Sequence, residues 1–156
     1  MRMRRIMQCG TYLPKTPPHS RPTRGAQNGG MVNPSSTPPP TRAAPIALAL
    51  EEVRPLVESR AWAWPSEATL REGERLLELV GQAWPAPDVQ VEPDGSLTLT
   101  WEAGTRGWLS LQVCGRGTLV HSAVIEGDEY GQEERFDSAL PAWAHALLRR
   151  LWGLLQ

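Results

Sequence analysis

Two side chains invite covalent chemistry. Cys114 and His121 lie in one segment of alternating apolar residues, and an imidazole that accepts a thiol proton turns cysteine into a nucleophile. The strand register derived below separates them: Cys114 faces the outer side of a sheet and His121 faces the core. A one-residue slip of the last hairpin would bring both to the outer face. With the first register, His121 reads as a core histidine held by a local hydrogen bond.

Other chemistry-bearing sets fall short of a site. Glu126, Asp128, Glu129, Glu133 and Glu134 are dense, but they lack the Asp-x-Asp-x-Asp-Gly order and closing glutamate of a calcium loop. They read as a solvated acidic turn. His19, His121 and His145 are too dispersed for a metal cluster. Gly104-Thr-Arg-Gly107 and Gly115-Arg-Gly117 connect strand to strand, so they are hairpin turns rather than phosphate loops. No catalytic residue, metal ligand or cofactor is assigned.

The elements that would position these side chains begin near Pro45. Residues 1–42 hold seven Lys or Arg and no carboxylate, while all seventeen carboxylates follow residue 50. The leader therefore carries +7 and the body −8. Its many prolines and few apolar residues predict disorder. The leader also suits phosphate tracking, through which a nucleic acid would bind, or an inert tail upstream of an alternative start at Met31. Residues 43–156 read as one domain. The two cysteines, one in the leader and one in a strand, argue against a disulfide framework and for the cytoplasm. No apolar stretch has membrane-spanning length, and no apolar region follows the first arginines as in a secretory signal.

Ile46, Leu50, Val53, Leu56 and Val57 recur at helical spacing, with Pro55 expected to kink or break the run. Ser66 caps a second helix whose stripe is Leu70, Gly73, Leu76, Leu77, Val80 and Trp84. Arg71, Glu72, Glu74, Arg75 and Glu78 cover its opposite, solvated side. Val89 and Val91 then alternate up to a Pro93-Asp94-Gly95 turn, followed by Leu97, Leu99 and Trp101. Turn lengths set Val91 opposite Leu97, Trp101 opposite Leu109, and Val113 opposite Leu119. The core face is Val89, Val91, Leu97, Leu99, Trp101, Leu109, Leu111, Val113, Leu119, His121, Ala123 and Ile125. Residues 126–131 read as a polar turn, and Gln132 to Phe136 as a short acidic fifth strand that resists unwanted pairing. Asp137 or Ser138 caps a last helix with the stripe Leu140, Ala144, Leu147, Leu148, Leu151 and Leu155. Arg149 and Arg150 suit its C-terminal end.

The fold class is α+β: an antiparallel meander of four to five strands with helices on one face, in the order α-α-β-β-β-β-(β)-α. Trp62, Trp64, Trp84 and Trp101 are core or rim anchors. Trp108 falls on the outer face, between Glu102 and Val124, with Val120 nearby. An aromatic and two valines on a polar face suit a partner. Trp108, Glu102, Val120, Val124 and the acidic-turn residues Asp128, Glu129 and Tyr130 form the candidate partner surface.

At Trp64-Pro65-Ser66, Pro93-Asp94-Gly95-Ser96-Leu97-Thr98-Leu99-Thr100-Trp101-Glu102 and Leu140-Pro141, the chain resembles small bacterial proteins of unknown function. The likeness covers about residues 60–154. It implies a helix, a Pro-Asp-Gly hairpin, a glycine-turned meander and a closing helix, in a mobile-element or toxin–antitoxin context, and it carries no catalytic residues. The expected function is a non-enzymatic interaction module, antitoxin- or immunity-like, whose acidic surface meets a basic protein. The alternatives are a small hydrolase or transferase with an unrecognised site, of which Cys114 is the most obvious version, and a nucleic-acid-associated protein using the leader.

Overall fold

The computed structural model describes residues 44–136 and 138–153. Helices α1 (Ala44–Ser59) and α2 (Glu67–Val80) precede five strands: β1 (Asp88–Val91), β2 (Leu97–Glu102), β3 (Gly107–Val113), β4 (Thr118–Ile125) and β5 (Asp128–Arg135). Helix α3 (Ala142–Leu151) closes the described chain. The strands pair antiparallel in sequence order, so the α+β meander inferred from patterning is the fold. The leader, Cys9, Asp137 and Leu155 lie outside the described residues.

Helix α1 runs unbroken through Pro55 and buries Ile46, Ala49 and Val53. Ser66 caps α2, its Oγ accepting the Thr69 N–H at 3.1 Å. Gly73 sits mid-helix because α1 and β2 converge on it: a Cβ there would meet Leu97 Cδ1 at 2.6 Å and Ile46 Cδ1 at 3.4 Å. Helix α3 begins at Ala142, after Pro141 in the capping position with no side-chain cap. This corrects the expected Asp137 or Ser138 cap. The fixed φ of proline suits a helix start without one.

The register is the one the turn lengths imply. Val91 lies opposite Leu97, Trp101 opposite Leu109, Leu111 opposite His121, and Val113 opposite Leu119. The slipped alternative is excluded, and all twelve core-facing residues are 8% exposed or less. Strand β5 departs from expectation. It starts at Asp128 and pairs with β4 over its whole length, leaving only Glu126-Gly127 as the turn. Both have positive φ, 54° and 87°, as the tightest hairpin turns require. Glutamate in place of the usual asparagine or aspartate masks that signal, as do the carboxylates along the strand.

All three helices meet the same face of the sheet. Helices α1 and α2 reach Leu97 around Gly73, and α3 lays Trp143 on His121 with ring centroids 3.9 Å apart. Trp101 is 2% exposed, and its indole N–H donates to the Pro85 carbonyl at 2.8 Å. Trp62 and Trp84 are half-buried beside the core. Trp64 is not an anchor: it is 43% exposed, because the linker between the helices turns its backbone toward Gly95 instead.

Candidate functional site

The helix-free face of the meander is built in rows, since residues opposite one another on antiparallel strands share a face. One row runs Glu102, Trp108, Val124, Glu129 across four strands. The next, Thr100, Ser110, Ser122 and Gly131, is small. The third runs Gln90, Thr98, Gln112, Val120 and Glu133. An apolar pair, Trp108 and Val124, is thus bracketed by carboxylates. Trp108 and Val124 are half-buried, and Glu102 and Glu129 are exposed.

The seven partner-surface residues do not form one patch. Glu102, Trp108, Val120, Val124 and Glu129 share the outer face. Asp128 pairs with Ile125 and Tyr130 with Ala123, which puts both on the helix side. There Arg150 of α3 gathers the hairpin: its Nη2 donates to Asp128 Oδ2 at 2.6 Å, its Nε to Glu126 Oε2 at 3.4 Å, and its Nη1 to the Tyr130 hydroxyl. Arg106 adds a second cation, 3.9 Å from Glu126. The hydrogen bond to Asp128 leads the effects that raise the Arg150 pKa, so the cluster holds a permanent cation. The acidic turn is therefore partly neutralised within the molecule, not freely solvated.

Val120 also departs from expectation. It is only 3% exposed although no helix contact described above reaches its face. Its row neighbour Thr98 is equally buried, with an Oγ1 that has no hydrogen-bond partner.

The catalytic pair fails on geometry. Cys114 follows core-facing Val113 and points outward, whereas His121 is 5% exposed on the inner face. Burial lowers the His121 pKa, against a smaller raising effect from Glu134. The expected local hydrogen bond is absent at Nδ1, which has no partner; ring stacking on Trp143 replaces it. Trp143 in turn donates its indole N–H to Glu134. Cys114 is disulfide-bonded, which corrects the reading against a disulfide at this position and removes a free nucleophile from it. Among the described residues no group of three or more His, Cys, Asp or Glu could hold a metal ion.

Two further polar features were not legible in patterning. Glu72 is not on a solvated face: its carboxylate accepts the Gly115 N–H at 2.7 Å and the Gly117 N–H at 2.6 Å, clamping the β3–β4 turn to α2. The turn presses so close that a Cβ on Gly115 would lie 3.0 Å from Ser66 Oγ. At the neighbouring turn, Asp94 Oδ1 accepts the Ser96 N–H at 2.9 Å and the Ser96 hydroxyl at 2.6 Å, while Gln112 donates to Ser96 Oγ at 2.6 Å. The glycines of Gly115-Arg-Gly117 and the Asp-Gly-Ser order were the available signals. Neither names its distant partner.

No family model, curated protein or solved structure matches the chain. Among the described residues no helix is long and apolar enough to cross a membrane.

Proposed function

We propose that this protein is a non-enzymatic interaction module that binds a basic protein through the outer face of its meander. The observation that carries the reading is the row Glu102, Trp108, Val124, Glu129. An aromatic anchor ringed by polar and charged groups is the usual composition of a binding hot spot, and two flanking carboxylates select lysine or arginine over acidic partners. Glu126 and Asp128 contribute less, because Arg106 and Arg150 already engage them. An antitoxin- or immunity-like neutraliser of a nucleic-acid-directed protein fits this chemistry.

The test is affinity isolation on the full chain at low salt, with Trp108→Ser, Glu102→Arg and Trp64→Ser baits beside the wild type. A partner held by wild type and by Trp64→Ser, but lost from Trp108→Ser and Glu102→Arg, supports the reading. Equal retention by all four baits would overturn it, as would turnover of a small substrate unaffected by the outer-face changes.

A further inference from the structure

We propose that the open edge of β5 pairs antiparallel with the β5 edge of a second copy of this chain, joining two meanders into one continuous sheet. The inference goes beyond the partner-binding reading, which rests on the Trp108 row of a single copy.

Among the described residues the sheet has two edges, and only one is suited to pairing. Strand β1 is four residues long and follows Pro87, so it is short and blunt. Strand β5 is eight residues long, contains no proline, and pairs one-to-one with β4 without a bulge. Its charged side chains are the device that limits pairing. Charge rejects registers that set like signs opposite and admits those that do not, so the edge is selective rather than closed.

The ladder fixes which backbone groups face outward. The Phe136 N–H donates to the Gly117 carbonyl at 2.9 Å, one step beyond the Thr118–Arg135 pair. Hydrogen-bonded and non-hydrogen-bonded pairs alternate along an antiparallel ladder. Asp128, Tyr130, Gln132 and Glu134 therefore turn their N–H and C=O groups toward β4. Glu129, Gly131, Glu133 and Arg135 turn theirs to the open edge. All four are exposed, and among the described residues none of them makes an ion pair.

Two copies related by a two-fold axis bring this row against itself. Centred on Gly131, the pairing sets Glu129 against Glu133 twice. Centred on Glu133, it sets that glutamate against its own copy. Centred on Gln132, Glu129 meets Arg135 of the second copy twice, and Glu133 meets Gly131 twice. Of these registers only the last engages all four outward residues, and it leaves no like charges opposite. On the inner face it sets Gln132 against Gln132 and Tyr130 against Glu134, again without like charges. Gly131 gains a reason in this pairing. Its backbone has no positive φ, and a glycine inside a regular strand otherwise weakens it. Opposite Glu133, the missing side chain leaves that glutamate room at the seam.

A strand edge buries less than the ~1,200 Å² of a standard interface, so the dimer should be weak, with a Kd on the order of 10 μM. The experiment is sedimentation of the full chain from about 1 to about 300 μM, in reductant so that no intermolecular disulfide contributes. Monomer should pass to dimer across that range. Arg135→Glu and Glu133→Pro should each raise the Kd about tenfold or more. The proline removes an outward N–H and leaves the β4 ladder whole. Glu129→Arg combined with Arg135→Glu rebuilds the same pairs with their signs exchanged and should restore dimerisation, which separates lost pairing from failure to fold. Amide exchange should slow with concentration at Glu129, Gly131, Glu133 and Arg135, and not at Tyr130 and Gln132, which already bond to β4. A monomer at every concentration would overturn the proposal, as would a dimer that survives Arg135→Glu and Glu133→Pro. A dimer lost instead in Trp108→Ser would also overturn it, since the copies would then meet through the outer face. The partner reading is scored separately, by the baits described above.

Discussion

The two faces of the meander are made by the same strands, yet they obey different constraints. On the inner face, Leu97, Leu99, Leu109, Leu111, Val113, Leu119 and Ile125 are fully buried, and the single histidine is stacked on a tryptophan. Each of these side chains must fit several neighbours at close-packed density. On the outer face, bulky and small rows alternate, and the carboxylates at the ends of the Trp108 row are exposed. There the pairing register constrains which residues are adjacent without constraining what they are. The inner face holds the fold, and the outer face is the one proposed for recognition.

The sharpest way to break this contrast is to truncate the two tryptophans that sit on opposite faces. Trp101→Ala should destabilise the protein by about 4 kcal/mol, through lost burial and a cavity. Trp108→Ala should cost about 1 kcal/mol or less, measured by urea unfolding of both. Equal losses would erase the distinction between a face that holds the fold and one that does not.

Gly107 tests whether the backbone is as tightly specified as the inner side chains. Its φ of 133° with ψ of −157° lies in a region that only glycine visits readily, and a Cβ would run into the Val124 carbonyl oxygen. Gly107→Ala should cost on the order of 3 kcal/mol, whereas Gly104→Ala, whose Cβ meets no atom within 4 Å, should cost less. Thermal unfolding of the pair checks the order.

The Glu72 clamp joins a helix to a hairpin outside both faces. Glu72→Ala leaves two backbone N–H groups without their carboxylate and should cost about 2 kcal/mol. The clearest local readout is faster amide exchange at Gly115 and Gly117.

His121 gives the inner face a pH signature. Its folded pKa lies below the ordinary value of 6.5, so the unfolded chain takes up the proton first on acidification. The stability from keeping His121 neutral is fully present above about pH 6.5 and is lost as pH falls toward the folded pKa. Denaturation midpoints should drop across that window in wild type and drop less in His121→Phe. The smallest effect is expected at the exposed hairpin cluster, where Arg150→Ala should change stability by about 0.5 kcal/mol and lose even that at high salt.

Much of this was present in local patterning. Alternation with period two and loop lengths of a few residues are short-range signals, so the strands, their register and the core face could be read from residues 89–125 alone. Helix caps were legible where a serine precedes the run, as at Ser66, and not where proline begins it, as at Pro141. The two-residue turn at Glu126-Gly127 escaped because glutamate rarely takes positive φ. Whether a carboxylate faces solvent or a partner was not a local matter at all. Glu72 meets Gly115 and Gly117, more than forty residues away, and Arg150 meets Asp128 from another element. The sequence alone thus determined the sheet and its two faces, through periodicity. Only the tertiary structure decided which charges are already answered inside the molecule and that Val120 is covered. Those outcomes depend on long-range approach, which no local spacing encodes.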